Sequence, residues 1–222
     1  MKKDTADKLK ALVAEGDPLL RFALGSLTSL HPCLELVAEV GDAPAVRAAC
    51  LKEMPEIVVL DLEVPRGDGF SLLREIRKLC PKARVLAVSR NDDAHIARRA
   101  LRAGALGFLS LHEEGGHVLS ALERMVRGQY FVSARVENGL LGSFSGGRAK
   151  QGEAAIDKLS DRELKVFRLL GGGLGATKIS KELGVSVKTV ETHQQRIKDK
   201  LNIANGADLR RRATIFAARA KR

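Results

Sequence analysis

LSDRELKVFRLLGGGLGATKISKELGVSVKTVETHQQRIKDKL, residues 159–201, predicts a succession of short helices. A capping-box pattern at 160–163 marks the start of the first helix, because a serine and a glutamate three residues later can each accept the other's backbone N–H. Three glycines at 171–173 are typical of a helix end. A second helix is predicted over about 176–183.

The residues that follow predict a helix-turn-helix. Gly184 favours a tight turn after the second helix, and Ser186 can cap a third helix over about 187–201. A fourth helix is predicted over about 206–220. Two short helices joined by a tight, glycine-containing turn form the helix-turn-helix arrangement. We therefore predict an all-α, four-helix domain over 156–222.

The third helix of this domain has an apolar face and a polar face. Val190, Ile197 and Leu201 recur at helical spacing and are expected to pack inward. The other face, near the helix N-terminus, carries polar side chains of mixed type: Lys188, Glu191, Thr192 and Gln195. A recognition helix reaches base edges in the major groove with residues at this place. Glutamine can bond adenine, glutamate can accept a hydrogen bond from cytosine, and threonine can touch a thymine methyl group.

Most of the positive charge lies in this part of the chain. The 222 residues carry a net charge of +11, and residues 148–222 hold 18 Lys and Arg against 8 Asp and Glu, a net charge of +10. A basic module joined to a nearly neutral one is typical of a protein that meets a polyanion. Lys188, Arg196 and Lys198 are placed as phosphate neighbours, which orient a protein on DNA and make its binding depend on salt.

The first two-thirds of the chain alternate between strand-like and helix-like patterns. Short apolar runs predict five buried strands, at 9–14, 34–40, 57–60, 84–88 and 106–109. Amphipathic segments predict five helices, at about 18–30, 43–53, 69–79, 92–103 and 116–127. Five βα units predict a doubly wound, five-stranded parallel sheet with helices on both faces. Ligands bind beyond the carboxyl ends of such strands, so Glu15, Asp61 and Ser89 are expected to converge on one crevice.

A stretch rich in glycine and serine separates the two parts. Residues 133–152 read SARVENGLLGSFSGGRAKQG and show no sustained periodicity. This composition favours a flexible connector. We therefore predict an α/β domain over 8–132, a linker over 133–155 and the helical domain over 156–222.

Residues 159–201 resemble the LuxR-type helix-turn-helix of NarL/FixJ-family response regulators. The matching positions are Leu159, Ser160, Arg162, Glu163, Val166, Leu170, Gly173, Ile179, Leu183, Val185, Ser186, Thr189, Val190, Thr192, His193, Ile197, Lys200 and Leu201. The resemblance implies that the third helix enters the major groove of double-stranded DNA and that the fourth contributes to dimerisation. It places Glu191, Thr192 and Gln195 towards the bases. The positions that it places near phosphate are Lys188, Thr189 and His193.

The first domain is similar to the receiver domain of the same family, which has a flavodoxin-like fold. The similar segments are LVAEGDPLLRFAL, IVVLDLEVPRGDGFSLLREIR, VLAVSRND and ALRAGALGFLS. The resemblance makes Asp61 the candidate phosphoacceptor. It also implies a pair of acidic residues that hold Mg²⁺ after the first strand, a lysine after the fifth strand, and a serine or threonine at the place of Ser89.

Two positions depart from this receiver pattern. The acidic pair aligns with Glu15 and Gly16, so one carboxylate is missing, and Asp17 comes one position late. The lysine position aligns with Leu111, which cannot pair with a phosphoryl group. Glu15 and Asp61 remain candidate metal ligands, but a phosphoryl group on Asp61 would lose several charge-assisted contacts. We therefore hypothesise a degenerate receiver that is not controlled by phosphorylation and requires no cofactor, with Mg²⁺ binding doubtful.

These patterns together predict a sequence-specific DNA-binding transcription regulator of the response-regulator type. The alternative is a conventional two-component response regulator that a sensor kinase phosphorylates on Asp61. We expect a homodimer without catalytic turnover, since a single module offers too small an interface for high specificity. Three cysteines without CxxC spacing and no apolar run near the ~20 residues of a membrane helix favour a cytoplasmic protein with no membrane partner. An adaptor whose helical module binds protein is a competing class, and it would lack a steep salt dependence of DNA binding.

Overall fold

The structure is a computed structural model, and it describes residues 8–90, 94–112, 115–133, 136–137, 156 and 158–219. Its contacts divide the chain into two compact units, Met1–Leu140 and Leu141–Arg222. The first is an α/β unit and the second is a helical unit.

The α/β unit contains a parallel sheet flanked by helices. Its strands are β1 (Leu9–Ala14), β2 (Leu34–Val40), β3 (Ile57–Asp61), β4 (Arg84–Ser89), β5 (Gly107–Ser110) and β6 (Phe131–Val132). Its helices are α1 (Pro18–Leu30), α2 (Ala43–Glu53), α3 (Gly69–Leu79), α4 (Ala94–Ala103) and α5 (Gly115–Val126). The strand order is β2-β1-β3-β4-β5-β6, and all pairs are parallel. The order reverses between β1 and β3, which is where a flavodoxin-like fold places its ligand crevice.

The sheet has one strand more than the five that the sequence predicts. Phe131 and Val132 form β6, paired in parallel with Gly107 and Phe108 of β5. Two residues at the edge of a sheet are too few to produce a periodic pattern, which is why the sequence does not reveal this strand. The five predicted strands are all present, and their observed ends differ from the predicted ones by at most one residue.

Alternate residues of the strands supply two apolar cores, one on each face of the sheet. Leu12, Val58 and Leu60 belong to one core, whereas Val13 and Val59 belong to the other. Every residue of β3 is buried. A strand buried on both faces supports the residue at its carboxyl end rigidly, and that residue is Asp61.

The helical unit has the four predicted helices, α6 (Asp161–Gly171), α7 (Ala176–Leu183), α8 (Val187–Leu201) and α9 (Gly206–Arg219). Helix α6 begins with the predicted capping box. Glu163 N–H donates to Ser160 Oγ (3.4 Å), and Ser160 N–H donates to Glu163 Oε2 (2.6 Å). Gly184 adopts a φ of +64° in the turn between α7 and α8, a conformation that suits glycine.

The inward face of α8 is confirmed. Val190 and Ile197 are fully buried and Leu201 is 5% exposed, all within one core that also holds Phe167. This burial fixes the rotation of α8 about its axis, so its polar face is turned away from the core.

Most of the predicted linker, 133–155, lies outside the described residues. Val136, within that range, is 1% exposed and belongs to a core of the α/β unit. Among the described residues, no helix combines the length and the apolar character needed to cross a membrane.

Candidate functional sites

The carboxyl ends of three neighbouring strands bring three predicted site residues to one edge of the sheet. Glu15 follows β1, Asp61 ends β3 and Ser89 ends β4. All three are buried, with 0%, 1% and 1% of their surface exposed. The sheet order makes β3 the neighbour of both β1 and β4, so Asp61 lies between the other two.

Asp61 is a buried carboxyl group that accepts a hydrogen bond from the backbone of a neighbouring residue. Glu63 N–H donates to its Oδ1 at 2.9 Å. Burial raises the pKa of Asp61 to about 7, the Glu63 N–H lowers it, the carboxylates of Glu15 and Glu63 raise it further, and Arg90 lowers it. A carboxyl group with this pKa is partly protonated at neutral pH.

Glu15 has a counter-cation that the sequence does not reveal. Arg90 Nη2 donates to Glu15 Oε1 at 3.1 Å, and Arg90 Nη1 lies 3.8 Å from Glu63 Oε2. Asp17 N–H donates to the same Glu15 oxygen at 2.9 Å. The other Glu15 oxygen, Oε2, is buried without a hydrogen-bond partner among the described residues. The crevice therefore contains a guanidinium, although it comes from the end of β4 and not from the lysine position after β5.

Arg90 is the site residue that sequence reasoning missed. The receiver pattern expects a cation at the position of Leu111, whose side chain packs against an apolar core of the α/β unit. The available signal was position, because Arg90 directly follows Ser89 at the carboxyl end of β4, where crevice residues are expected.

The predicted pocket residue Asp17 serves the start of α1. Its Oδ1 accepts hydrogen bonds from Leu19 N–H (2.9 Å) and Leu20 N–H (3.2 Å), and the residue is exposed. Asp17 is thus the N-cap of α1, with Pro18 at the first helical position. Its Oδ1 atom is therefore engaged at the start of the helix.

The described residues do not fit Mg²⁺ well. A Cβ atom at Gly16 would lie 2.4 Å from Pro65 Cδ, so a carboxylate there would require Pro65 to move. Glu15 is already paired with Arg90, and Asp17 is committed to α1. Among the residues that the structure describes, no group of three or more His, Cys, Asp and Glu side chains could hold a metal ion. Mg²⁺ prefers an octahedral shell of oxygens, with one or two carboxylates free to bind it.

The polar face of α8 presents the predicted DNA-contacting residues to solvent. The exposed ones are Lys188, Glu191, Thr192, Gln195 and Arg196. The half-buried ones are Thr189, His193 and Lys198. This division agrees with a helix that is buried along one side and free along the other.

Several of these side chains are already oriented by neighbours on the same helix. Thr192 Oγ1 donates to the carbonyl of Lys188 at 2.9 Å, which leaves the threonine methyl group as its apolar contact surface. Gln195 Nε2 donates to Asp199 Oδ1 at 2.9 Å. A side chain that is held before it meets a partner loses less conformational entropy on binding.

A buried carboxylate joins the C-terminal end of α8 to the start of α6. Glu163 is 3% exposed, and Lys200 Nζ donates to its Oε2 at 2.6 Å. Burial opposes ionisation of Glu163, but hydrogen bonds from Lys200 and Ser160 outweigh burial and lower its pKa. His193 lies near this pair, and burial lowers its pKa. The ion pair therefore helps to hold the exposed face of α8 in place.

Comparison with known proteins identifies both units. Residues 11–123 match the family model described as response regulator receiver domain. Residues 157–213 match the model described as bacterial regulatory proteins, luxR family.

Two relatives are similar to this chain over most of its length. The virulence factors transcription regulator BvgA of Bordetella pertussis is 31% identical over 201 residues, which cover 90% of this chain and 94% of that protein. The nitrate/nitrite response regulator protein homolog of Haemophilus influenzae is 29% identical over 89% of this chain and 92% of its own.

A solved structure supports the fold assignment. RcsB from Salmonella enterica serovar Typhimurium, bound to promoter rprA in the presence of phosphomimetic BeF3-, has a TM-score of 0.67 at 21% identity, and the match covers 94% of this chain and 99% of that one. The matched receiver model, the luxR-family model and the 31% identity to BvgA together show that this chain belongs to the response regulators that carry a LuxR-family regulatory domain.

Proposed function

We propose that this protein is a sequence-specific DNA-binding transcription regulator that reads the major groove with α8. The observation that carries the proposal is the exposed polar face of α8, held on a buried core in a unit with a strong excess of positive charge. The relatives support it, since BvgA is named a transcription regulator and RcsB has been solved on promoter DNA.

The residues of α8 divide into two roles. Glu191, Thr192 and Gln195 face the bases, and Gln195 is the best suited to a bidentate contact with adenine. The residues proposed to contact or neutralise phosphate are Lys188, Thr189, His193, Arg196 and Lys198. Phosphate contacts increase affinity for all sequences alike, whereas base contacts distinguish between them.

Two matched variants on the same helix test these roles. Gln195→Ala is expected to change the motif recovered by in vitro site selection, because it removes a base contact. Arg196→Ala is expected to weaken binding about equally on all sequences and to reduce the salt dependence of the association constant. An unchanged motif for Gln195→Ala, or a change at one base position for Arg196→Ala, would contradict the assignment. DNA affinity that is insensitive to salt would favour the protein-binding adaptor instead.

We further propose a homodimer that acts in the cytoplasm without catalytic turnover. Support for the dimer comes from a solved structure of similar fold, which contains two RcsB dimers bound to two parallel DNAs. Support for a reducing compartment comes from Cys33, Cys50 and Cys80, which are all free thiols.

We propose that phosphorylation does not control this regulator. A phosphoryl group on Asp61 would have no lysine partner at position 111, where Leu111 packs against an apolar core, and the crevice does not fit Mg²⁺ well. The retention of Asp61 and Ser89 at the sheet edge favours the second candidate, a conventional regulator served by a sensor kinase.

Intact mass separates these two candidates. The protein is incubated with acetyl phosphate and Mg²⁺, and Asp61→Ala serves as the control. We expect no adduct on either protein, since Arg90 is already paired with Glu15 and no lysine occupies position 111 to stabilise a phosphoryl group. One phosphoryl adduct on the wild type alone would establish the conventional candidate.

A further inference from the structure

The most unusual feature of the crevice is an ion pair between the ends of two strands that are not neighbours. Glu15 follows β1 and Arg90 follows β4, and β3 lies between these strands. Their side chains meet at 3.1 Å, and Arg90 also approaches Glu63 beyond the end of β3. The guanidinium therefore spans the carboxyl ends of the three central strands.

The burial of Glu15 requires a nearby cation. This carboxylate is 0% exposed, and its ionised form is costly to bury unless a positive charge or several hydrogen bonds compensate it. Its Oε1 atom accepts hydrogen bonds from the Asp17 N–H and the Arg90 guanidinium, and its Oε2 atom has no partner among the described residues. Arg90 is the charged member of that set.

Arg90 also differs from a surface counter-ion in its position. Its side chain is 39% exposed, so most of the side-chain surface is covered by the fold. A guanidinium is always charged and can contact two carboxylates at once, as Arg90 does with Glu15 and Glu63. A divalent metal ion at the same edge would compete with Arg90 for the charge of the Glu15 carboxylate and would be repelled by the guanidinium.

We propose that Arg90 is the resident cation of this crevice, which neutralises Glu15 in place of a divalent metal ion and keeps such an ion out. The ion pair also ties the end of β4, which carries Ser89, to the end of β1. The receiver unit is thereby held in one arrangement without a metal or a phosphoryl group. This inference deepens the proposed control without phosphorylation. It rests on that proposal only for the regulatory role of the crevice, and the exclusion of a metal ion by Arg90 can be tested separately.

Metal binding by the full-length chain tests the inference directly. Mn²⁺ is the probe, because free and bound Mn²⁺ are distinguished by electron paramagnetic resonance. We expect no saturable binding to the wild type below millimolar Mn²⁺. Arg90→Gln removes the charge but keeps a hydrogen-bond donor, and it is expected to bind Mn²⁺ at least about tenfold more tightly than the wild type. Arg90→Lys keeps the charge and should behave as the wild type.

Two controls locate the effect. Adding Glu15→Gln to Arg90→Gln should abolish the gained binding. Arg47→Ala removes a guanidinium that is paired with Glu75 on α3 at 2.6 Å, and it should leave Mn²⁺ binding unchanged.

If Arg90→Gln does not fold well, thermal unfolding of Arg90→Lys with and without Mg²⁺ provides the second measurement. A Mg²⁺-dependent rise in melting temperature for this charge-keeping variant would overturn the proposal.

Each remaining outcome decides the inference separately from the proposed function. Equal Mn²⁺ affinity of the wild type and Arg90→Gln, whether measurable or absent, would show that Arg90 does not exclude the metal. The intact-mass experiment with acetyl phosphate would still decide whether phosphorylation occurs. Binding that is gained in Arg90→Gln and retained after Glu15→Gln would place the metal elsewhere and would also overturn the inference.

Discussion

Replacing the carboxyl group of Asp61 by an amide should stabilise the α/β unit, and the gain should grow with pH. Burial is the main cause of the raised pKa, which is about 7 in the fold against 3.8 in the unfolded chain. Below pH 3.8 the carboxyl group is protonated in both states. Between pH 3.8 and about 7 the unfolded chain releases this proton while the folded protein retains it, so the free energy of unfolding falls as pH rises. Above pH 7 both states are ionised and the full cost is present.

The magnitude follows from the difference between the two pKa values. One pKa unit corresponds to about 1.4 kcal/mol, so Asp61 costs on the order of 4 kcal/mol above pH 7 and about 1.5 kcal/mol at pH 5. Asp61→Asn removes this cost. It also keeps Oδ1 as the acceptor for Glu63 N–H, which lies at 2.9 Å.

Hydrogen exchange measured by mass spectrometry on peptides covering β3 gives this difference in the full-length chain. Asp61→Asn and the wild type are compared at equal pH, so intrinsic exchange rates cancel. We expect the free energy of protection of β3 in Asp61→Asn to exceed that in the wild type by about 1.5 kcal/mol at pH 5 and about 4 kcal/mol at pH 8. Glu35→Gln, an exposed carboxylate on β2, should change protection by less than about 0.5 kcal/mol at both pH values. A gain that is equal at pH 5 and pH 8, or a loss, would refute the reasoning.

Further predictions concern the helical unit and one helix end of the α/β unit. A Cβ atom at Gly171 would lie 2.3 Å from the carbonyl oxygen of Ala213 on α9, so Gly171→Ala should destabilise the helical unit by about 1–3 kcal/mol in calorimetry. Gly206→Ala, with no atom within 4 Å of its Cβ position, should be neutral or stabilising, and an equal effect of both substitutions would contradict the packing argument. Lys200→Ala leaves the buried carboxylate of Glu163 without its cation and should lower both the melting temperature of the unit and its DNA affinity. Arg84 Nη1 donates to the last two carbonyls of α5, at 3.0 and 2.7 Å. Arg84→Ala should therefore speed amide hydrogen exchange in α5 selectively, and unchanged exchange in α5 would show that Arg84 does not stabilise the end of this helix.

The regular elements of both units could be predicted because their burial repeats along the chain. In α8, Val190, Ile197 and Leu201 recur on one face, and this periodicity determines which side is buried. Strand β6 could not be predicted, because its pairing depends on β5 and two residues contain no repeat.

The crevice was predicted in location but not in its interactions. Strand order in a parallel α/β sheet brings Glu15, Asp61 and Ser89 to one edge regardless of their side chains. The ion pair of Glu15 with Arg90 joins residues 75 positions apart, and no local pattern contains such a contact. The capping role of Asp17 did have a local signal, because Asp-Pro before an amphipathic segment is a common helix start.

The most direct test of the account is DNA affinity measured on one selected site before and after treatment with acetyl phosphate and Mg²⁺, for the wild type and Asp61→Ala. The account predicts salt-dependent binding with dissociation constants that agree within about twofold in all four measurements. A rise in affinity of about tenfold or more in the treated wild type, absent from Asp61→Ala, would contradict it, because phosphorylation of Asp61 would then control DNA binding.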